Sequence, residues 1–292
     1  MYRAPTHAAM HPAAVLVHYR QAQLTARCIS SLLDHCYDLQ AIFVVDNSSD
    51  DSLGSLQRQF SDPRIHWLPQ PSNLGFGEGC NAGIAAALAS GADAVLLINN
   101  DAWVEQDILT ALNEASRRYH HRALLTGQIF TPDGQLWYAG GDYSLYTVRT
   151  RHWTRPLQRE RRVPFACGCL LWLPRPLLEA LTGFAPDYFL YLEDLELCLR
   201  ARQAGFPIVC LPQVQIRHSP SSSTGGRDSP LAVYYQNRNR WLLLRQHGRL
   251  RHWPVFVAVY LLGFLRRLLK PQRRASLAAV ADALSGKWGK RP

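Results

Sequence analysis

Two short acidic clusters have the residue types expected of a chemical site. In the first cluster, Asn99, Asn100 and Asp101 directly follow the apolar stretch Ala92–Ile98. A carboxylate at the end of a buried strand is well placed to hold a hard divalent cation, because such ions prefer oxygen ligands. The same side chains are also common caps of a following helix. The tripeptide alone leaves both interpretations open.

The second cluster, Glu193-Asp194-Leu195-Glu196, comes directly after the aromatic-rich stretch Tyr188–Leu192. Three carboxylates in four residues repel one another unless a cation, hydrogen-bond donors or a helix N-terminus stabilises them. Aromatic surroundings raise the pKa of a carboxyl group, as a general base that works near neutral pH requires. The alternative is the acidic first turn of an ordinary helix. The spacing does not decide which of Glu193, Asp194 and Glu196 takes the proton.

Other motifs exclude several classes of site. His218 follows the strand-like stretch Val214–Arg217, and a single histidine gains interest only if the acidic clusters form a site. The stretch Gly75–Gly79 lacks the register of a dinucleotide-binding loop after a strong strand. The chain has no P-loop motif and no G-x-S-x-G motif, which argues against P-loop nucleotide binding and serine-hydrolase chemistry.

The elements that position these residues follow from the hydrophobic pattern. Apolar runs predict strands separated by helical stretches, and most of these runs do not alternate with polar residues. This pattern predicts an α/β fold with a parallel sheet covered on both faces. Such sheets bind ligands beyond the carboxyl ends of their strands. Asp46 and Asp101 both come at the end of a predicted strand. The predicted strands are Ala13–His18, Gln40–Val45, Ile65–Leu68, Ala92–Ile98, Ala123–Ile129 and Phe165–Leu173, and the predicted helices include Gln21–Leu33, Glu78–Ala89 and Glu105–Arg117.

Two segments lack the hydrophobic periodicity of a helix or a strand. Residues 131–164 are rich in turn residues and arginine, which predicts an irregular insert or a mobile loop. The stretch Ser219–Gly226 is rich in serine and glycine and predicts a flexible loop.

Charge is concentrated at the C-terminal end of the chain. The formal net charge is +10, and residues 227–292 hold 14 Lys and Arg but only Asp228 and Asp282 as acids. Within this region, Trp253–Leu265 has 13 uncharged residues, fewer than the roughly 20 that span a bilayer. We expect either a buried core helix or, given the flanking arginines, an in-plane helix through which residues 249–274 contact an anionic membrane surface.

The seven cysteines indicate a reducing compartment. They form no C-x-x-C pair and no zinc-ligand spacing with histidine, so we expect free thiols that pack as small apolar residues. The first twelve residues show no basic segment followed by an apolar run, and we expect no secretory signal there. The predicted location is cytoplasmic, peripheral on the inner face of the cell membrane.

The order of the motifs resembles the family 2 glycosyltransferases with a GT-A fold, and within them the bacterial rhamnosyltransferase-like branch. The resemblance covers about residues 13 to 247. It implies a GT-A catalytic domain at 1–226, with a donor-binding half at about 13–130 and an acceptor and catalytic half at about 131–226, followed by a basic helical region at 227–292. The matching segments are AAVLVHYRQ, AIFVVDNSSDD, PSNLGFGEGCNAGI, AVLLINNDAWVE, FACGCLLWLPRPLLEALTGF, DYFLYLEDLELCLRARQAGF, VQIRHSPSSST and YYQNRNRWLLLRQH.

The resemblance also implies roles for the donor side. Asp46 matches a residue that contacts the base or ribose of a nucleotide-diphospho-sugar, and Asn73 and Asn81 fall in a loop that approaches the donor. Asn99, Asn100 and Asp101 match the segment that binds the donor diphosphate. Asn99 stands where the family's D-x-D motif has its first aspartate, which leaves fewer carboxylates on the metal.

For the metal and the reaction, the resemblance implies that Asp101, with His218, binds Mg²⁺ or Mn²⁺. Asp194 matches the catalytic base, with Glu193 beside it. The implied reaction is an inverting transfer of a sugar, rhamnose among the candidates, from a dTDP-, UDP- or GDP-linked donor to a glycan or polyprenyl-linked acceptor in bacterial surface polysaccharide (O-antigen) synthesis. Closure of the loop at residues 221–226 would exclude water.

Three other functions are considered. A basic nucleic-acid-binding protein would use the C-terminal charge, but no nucleic-acid-binding motif is present, and we expect no nucleic acid partner. A sugar-phosphate nucleotidyltransferase needs a Gly-rich loop after the first strand, where this chain has His18-Tyr19-Arg20-Gln21. A non-catalytic relative that only binds sugar nucleotides is disfavoured by the presence of Asp46, Asp101, Asp194 and His218.

Overall fold

A large mixed β-sheet organises the protein. The computed structural model describes residues 10–48, 50–219, 226, 228–269 and 271–291. The strands are β1 (Pro12–His18), β2 (Ala41–Asp46), β3 (Ile65–Pro69), β4 (Ala94–Ile98), β5 (Ala102–Val104), β6 (Leu124–Phe130), β7 (Leu136–Tyr138), β8 (Gly141–Ser144), β9 (Arg149–His152), β10 (Arg161–Arg162), β11 (Leu170–Pro174) and β12 (Ile208–His218). The helices are α1 (Ala22–His35), α2 (Ser52–Gln59), α3 (Phe76–Ala89), α4 (Leu109–Arg118), α5 (Arg175–Leu181), α6 (Glu193–Gln203), α7 (Pro230–His247), α8 (Trp253–Leu268) and α9 (Arg273–Leu284).

The central sheet is largely parallel, and its strand order is β10-β12-β6-β11-β4-β1-β2-β3. Strands β3, β2, β1 and β4 run parallel to one another, as do β6 and β12. Strand β11 runs antiparallel to both β4 and β6. The chain between β6 and β11 returns at the carboxyl edge of the parallel strands, so β11 starts there and runs in the opposite direction. The sequence pattern did not show this reversal.

Close packing of α3 on the sheet determines the first half of the core. Strands β1 and β4 are buried along their whole length, which explains their apolar, non-alternating sequences. A Cβ atom on Gly83 would approach Val15 Cγ1 to 2.4 Å. A side chain at this position would therefore push α3 away from β1 and displace the loop that precedes the helix.

The segment 131–164 is more ordered than the sequence indicated. Strand β7 pairs with β6, and β8 and β9 form an antiparallel hairpin with Gly141 opposite His152. Arg151 contacts Asp142 across this hairpin, with Nη2 2.6 Å from Oδ2. The prediction of an irregular insert or mobile loop was wrong, because these strands have two to four residues and are too short to give a period.

Two predicted boundaries also needed correction. The stretch predicted as a strand at Phe165–Leu173 becomes β11 only at Leu170, and residues 165–169 form a loop. The predicted helix Glu105–Arg117 starts at Leu109, because β5 pairs with the end of β12 before the helix begins.

The C-terminal helices pack on one another. Trp241 on α7 contacts Phe256 and Tyr260 on α8, with ring centroids 5.1 Å apart in both pairs. The opposite face of α8 exposes Leu261, Leu262 and Leu265. Helix α8 therefore buries one face against α7 and presents a second apolar face outward. Within the described ranges, every helix is too short or too polar to cross a bilayer.

Candidate active site

The carboxyl ends of three neighbouring parallel strands bring the first acidic residues together. Asp46 is the last residue of β2, opposite His18 at the end of β1, and Asp101 follows β4 after a two-residue turn. Both carboxylates are 5% exposed. Asp46 Oδ1 accepts a hydrogen bond of 2.8 Å from the backbone N–H of Ser48. The sheet edge thus places two aspartates on one side of the molecule, as ligand sites in open α/β sheets require.

A chain of buried polar side chains supports this edge. Asn100 Nδ2 donates to Thr25 Oγ1 at 2.9 Å, and the same hydroxyl lies 2.8 Å from His18 Nδ1. His18 Nε2 lies 2.8 Å from Ser52 Oγ. Burial lowers the pKa of His18, despite the opposing effect of Asp46 and Asp50. Asn100 therefore stabilises the turn that carries Asp101, and its side chain points into the protein.

Asp101 is paired with His218. Strand β5 aligns Ala102 with His218 at the end of β12, and Asp101 Oδ1 lies 3.1 Å from His218 Nε2. The backbone carbonyl of Asp101 also accepts a hydrogen bond of 3.0 Å from the N–H of Ser219. The Trp137 ring packs edge-on against the His218 ring, with centroids 5.1 Å apart. Two residues 117 positions apart in the sequence are thus adjacent in space.

The side chains around this pair fit a divalent cation that is shared with a ligand. Among the described residues, no three His, Cys, Asp or Glu side chains form a complete metal site. Asp101 and His218 supply two donors, and the buried amide oxygen of Asn99 has no hydrogen-bond partner. A carboxylate, an amide oxygen and an imidazole suit Mn²⁺, whereas Mg²⁺ prefers oxygen alone. The remaining ligands would have to come from phosphate or water.

The two acidic clusters meet at a cavity of about 660 Å³. Asn99, His218 and Asp194 all line this cavity. Asp194 Oδ2 accepts from the N–H of Gly168 at 3.1 Å, and Oδ1 accepts from the N–H of Leu195 at 2.8 Å. Burial raises the pKa of Asp194 above its usual value, and these two hydrogen bonds partly oppose that rise.

The other two carboxylates of the cluster lie elsewhere. Glu193 is buried, its Oε2 has no hydrogen-bond partner, and burial together with the charge of Asp194 raises its pKa to about 8. Glu196 receives hydrogen bonds of 2.7 Å from both Nε and Nη2 of Arg200, and His247 Nε2 lies 3.4 Å from it. Burial alone would raise the pKa of Glu196, but His247 and Arg200 lower it. Of the three, Asp194 is the carboxylate that borders the cavity.

A strained turn aims Asp194 at the cavity. Tyr191 and Leu192, directly before α6, have φ angles of 69° and 70°. Left-handed backbone costs a non-glycine residue on the order of 1–3 kcal/mol and persists only where its surroundings enforce it. The loop before this turn is tied to α3, because the N–H of Phe76 donates to Phe189 O at 3.0 Å. Gly75 has φ of 86°, and a Cβ atom there would lie 2.2 Å from the same carbonyl oxygen.

The two asparagines predicted to lie in a donor loop differ in position. Asn73 lies in the loop before α3, where its Oδ1 accepts from the N–H of Gly75 at 2.8 Å. Asn81 lies within α3, since that helix already begins at Phe76, so its predicted place in the loop was wrong. Its Nδ2 donates to Glu78 Oε1 and to Phe184 O, and its Oδ1 accepts from the N–H of Phe184. Through the bonds to Phe184, the amide of Asn81 joins α3 to the chain after α5.

Several residues that border the cavity had no role assigned from the sequence. Some come from the 131–164 segment, and others come from α7, which the sequence assigned to a separate C-terminal region. Neither segment shows an acidic motif, and the family resemblance at residues 234–247 implied no site residue, so only the fold could place them at the cavity. These residues are Trp137, Arg149, Thr150, His152, Gln236 and Arg240. The segment at residues 221–225, predicted to close over the site, lies outside the described residues.

Comparisons with known proteins identify the family of this chain. A family profile described as "Glycosyltransferase like family 2" matches residues 11–243. The chain is 27% identical over 274 residues to N-acetylglucosaminyl-diphospho-decaprenol L-rhamnosyltransferase of Mycobacterium tuberculosis, covering 82% of this chain and 88% of that protein. It is 21% identical over 241 residues to dTDP-rhamnosyl transferase RfbF of Shigella flexneri, covering 77% and 75% of the two chains.

The fold has counterparts among solved structures. The crystal structure of GalNAc-T7 with UDP, GalNAc and Mn²⁺ matches with a TM-score of 0.61 at 14% identity. The match covers 94% of this chain and 57% of that one, and at this identity it concerns the fold alone. The expected GT-A architecture is therefore confirmed. The chain belongs to glycosyltransferase-like family 2, and within it is similar to rhamnosyltransferases.

Proposed function

We propose that this glycosyltransferase carries out an inverting transfer of a sugar, with rhamnose as the first candidate, from a nucleotide-diphospho-sugar to an acceptor hydroxyl. The observation that carries the proposal is that Asp194, Asn99 and His218 line the same cavity. A general base and a diphosphate-binding group must face the same anomeric carbon from opposite sides in such a transfer. The two rhamnosyltransferase relatives favour rhamnose as the sugar.

Asp194 acts as the base in this proposal. The acceptor hydroxyl attacks the anomeric carbon opposite the departing nucleoside diphosphate, and Asp194 takes the hydroxyl proton as the new C–O bond forms. A positioned general base contributes about 10²–10⁴-fold to the rate. The raised pKa of Asp194 strengthens it as a proton acceptor. Glu193, also with a raised pKa, stays largely neutral below pH 8 and adds little repulsion.

The sheet edge holds the donor. Asp46 and Asn73 lie on the nucleotide side, where we assign them contacts to the base or ribose. Asp101, His218 and Asn99 would hold Mn²⁺ or Mg²⁺, and such an ion would offset the charge that develops on the leaving diphosphate. Asn100 stabilises this segment through Thr25. Asn81 joins α3, the helix that follows the donor loop, to the chain after α5 through its bonds to Phe184.

The acceptor side combines aromatic and cationic side chains. Trp137 and His152 present rings at the cavity, with centroids 4.5 Å apart, and Arg149 and Arg240 border the same space. Aromatic faces suit the C–H surfaces of sugars, and guanidinium groups suit phosphates. A glycan carried on a polyprenyl diphosphate has both features. This assignment agrees with the acceptor named for the mycobacterial relative and supports a role in surface polysaccharide synthesis.

The exposed face of α8 supplies the membrane contact. Leu261, Leu262 and Leu265 are 51%, 55% and 60% exposed, and Arg249 and Arg251 lie exposed just before the helix. An apolar face bordered by arginines fits the surface of an anionic bilayer. We assign the protein to the inner face of the cell membrane, where lipid-linked acceptors are made.

The membrane contact is tested with vesicles of phosphatidylglycerol and phosphatidylcholine against vesicles of phosphatidylcholine alone. Sedimentation should show binding to the anionic vesicles, and replacement of the three α8 leucines by serine should abolish it. Leu284→Ser, at an exposed leucine on α9, is the matched control and should bind like the parent protein. Equal binding by the triple variant would refute the assignment of this face.

The transfer itself is tested by donor binding and slow donor hydrolysis across dTDP-, UDP- and GDP-sugars, with Mg²⁺, Mn²⁺ or EDTA. We expect one donor to bind with a divalent ion present, and its turnover to be lost in Asp194→Asn while binding is kept. Binding of no nucleotide sugar under any metal condition would refute the proposed function. Binding with undiminished turnover in Asp194→Asn would refute the assigned base.

A further inference from the structure

Helix α7 carries two neighbouring buried polar residues that the proposed mechanism does not use. Arg238 is 1% exposed and Asn239 is 0% exposed. Buried polar side chains cost folding free energy unless their hydrogen bonds are made, so their contacts show what the pair does. The donors of both residues reach the loop before α6, some 50 positions earlier in the sequence.

Asn239 binds the strained turn directly. Its Nδ2 donates to Leu190 O at 2.9 Å and to Tyr191 O at 2.8 Å. Tyr191 and Leu192 are the two residues with left-handed backbone, and Glu193 and Asp194 follow immediately. One amide group therefore satisfies two successive carbonyls at the place where the chain turns into α6. Such an arrangement fixes the backbone of a turn that would otherwise relax.

Arg238 orients Asn239 and extends the contact. Its Nε and Nη2 donate to Asn239 Oδ1 at 3.0 and 2.8 Å, which directs the asparagine's amide nitrogen toward the turn. Its Nη2 also donates to Asp187 O at 3.3 Å, and its Nη1 donates to Gly289 O at 2.6 Å. The N–H of Gly289 in turn donates to Asp187 O at 2.8 Å. The C-terminal segment is thus joined to both α7 and the loop.

We propose that Arg238 and Asn239 are positioning residues that hold residues 187–192 in the conformation that presents Asp194 to the cavity. The inference rests on the proposed role of Asp194. It gives the basic C-terminal region a role in positioning the proposed base. Asn239 fixes the turn, and Arg238 fixes Asn239 and joins the turn to the C-terminal segment.

The first test measures the turn without any ligand. Hydrogen–deuterium exchange is compared for the peptide that covers residues 187–195 in the parent protein, Asn239→Ala and Asn237→Ala. Asn237 is a matched control, because it is buried on the same helix but its Nδ2 bonds only Val233 O of that helix. We expect about tenfold faster exchange in Asn239→Ala and parent-like exchange in Asn237→Ala. Unchanged exchange in Asn239→Ala, or equal acceleration in both variants, overturns the proposal.

A second variant covers the case in which Asn239→Ala does not fold. Asn239→Asp keeps the shape of the side chain and the acceptor for Arg238, but it removes the two donors to Leu190 and Tyr191. The same local acceleration of exchange is expected. An Asn239→Asp protein with parent-like exchange at 187–195 overturns the proposal equally.

The catalytic readout is a double-mutant cycle on donor hydrolysis. Asn239→Ala should lower kcat by on the order of 10²-fold, the size expected for a reacting group displaced by about 1 Å, with donor affinity unchanged. Combined with Asp194→Asn, it should cause no further loss, because both changes remove the same function. Multiplied losses in the double variant overturn the proposal. Full turnover in Asp194→Asn alone would instead refute the assignment of Asp194 as the base, and the exchange data would still decide whether the turn is held by Asn239.

Discussion

His218, which pairs with Asp101, borders the same cavity as Asp194, but the protein positions the two aspartates by different means. Asp101 follows a strand that is buried and paired on both sides, so its position is a direct consequence of the sheet. Asp194 follows a strained turn whose backbone is held by contacts from α3 and α7. Regular structure thus positions Asp101, the proposed donor-side aspartate, whereas long-range tertiary contacts position Asp194, the proposed base.

Substitution of the two aspartates should therefore impair different steps, catalysis for Asp194 and donor binding for Asp101. These are the largest effects that we expect. Asp194→Asn removes the proton acceptor and should lower kcat by about 10²–10⁴-fold with little change in donor affinity. Asp101→Asn removes the carboxylate from the proposed cation site and should weaken Mn²⁺-dependent donor binding. Titration of donor binding in Mn²⁺ and in EDTA, with single-turnover rates, separates the two. Loss of donor affinity in Asp194→Asn would contradict this division.

Within the acidic cluster, we expect Glu196 to contribute to the stability of the fold and not to the reaction. Glu196→Gln removes a buried charge that receives two hydrogen bonds from Arg200, and it should lower the free energy of unfolding by about 1–3 kcal/mol. Asp62→Asn, at the half-exposed pair with Arg64, is the control and should cost about 1 kcal/mol or less. Urea unfolding measures both. A shift of the pH–rate profile in Glu196→Gln, without loss of stability, would instead identify Glu196 as the base.

Glu193 provides the smallest and most specific effect, a change in the pH dependence of stability. Its pKa is raised from 4.5 to about 8 in the folded protein. Between these values the folded protein retains a proton that the unfolded chain has released, so the free energy of unfolding falls as pH rises. One group changes this free energy by at most about 1.4 kcal/mol per pH unit.

Glu193→Gln should remove that contribution. Its free energy of unfolding should fall less steeply than that of the parent protein between pH 5 and 8. Urea unfolding at several pH values gives both slopes. Glu196→Gln serves as a second acid-to-amide variant, at a residue whose pKa is lowered in the folded protein, whereas that of Glu193 is raised. Identical slopes for Glu193→Gln and the parent protein would show that Glu193 is ionised throughout this range.

Much of the donor half could be predicted from the sequence. The buried strands that end near Asp46 and Asp101 have strong apolar patterns, and parallel strands bring their ends to one edge of a sheet. The predicted importance of Asp194 came from its acidic cluster and from the family resemblance. The sequence could not separate Asp194 from Glu193 and Glu196. The three carboxylates differ in burial and in their partners, because Arg200 and His247 pair with Glu196 and not with the other two.

The acceptor half could be predicted less well. The strands of the 131–164 segment are too short to show a period, so the ring of Trp137 beside His218 had no sequence signal. The C-terminal region was identified by its charge, by the apolar stretch Trp253–Leu265 and by the family resemblance of residues 234–247. None of these indicated that α7 would place Arg240 at the cavity and Asn239 on the turn before Asp194.

The sequence by itself determined the α/β class, the sheet edge that carries Asp46 and Asp101, and the membership of the family. These features depend on local hydrophobic period and on motifs of neighbouring residues, which a chain displays before it folds. Only the tertiary structure decided that His218 pairs with Asp101, that Asp194 alone of its cluster faces the cavity, and that α7 holds the turn before it. The pairing of His218 with Asp101 and the contacts of α7 with the turn join residues 48 to 117 positions apart, and their partners are set by the packing of the whole sheet and its helices.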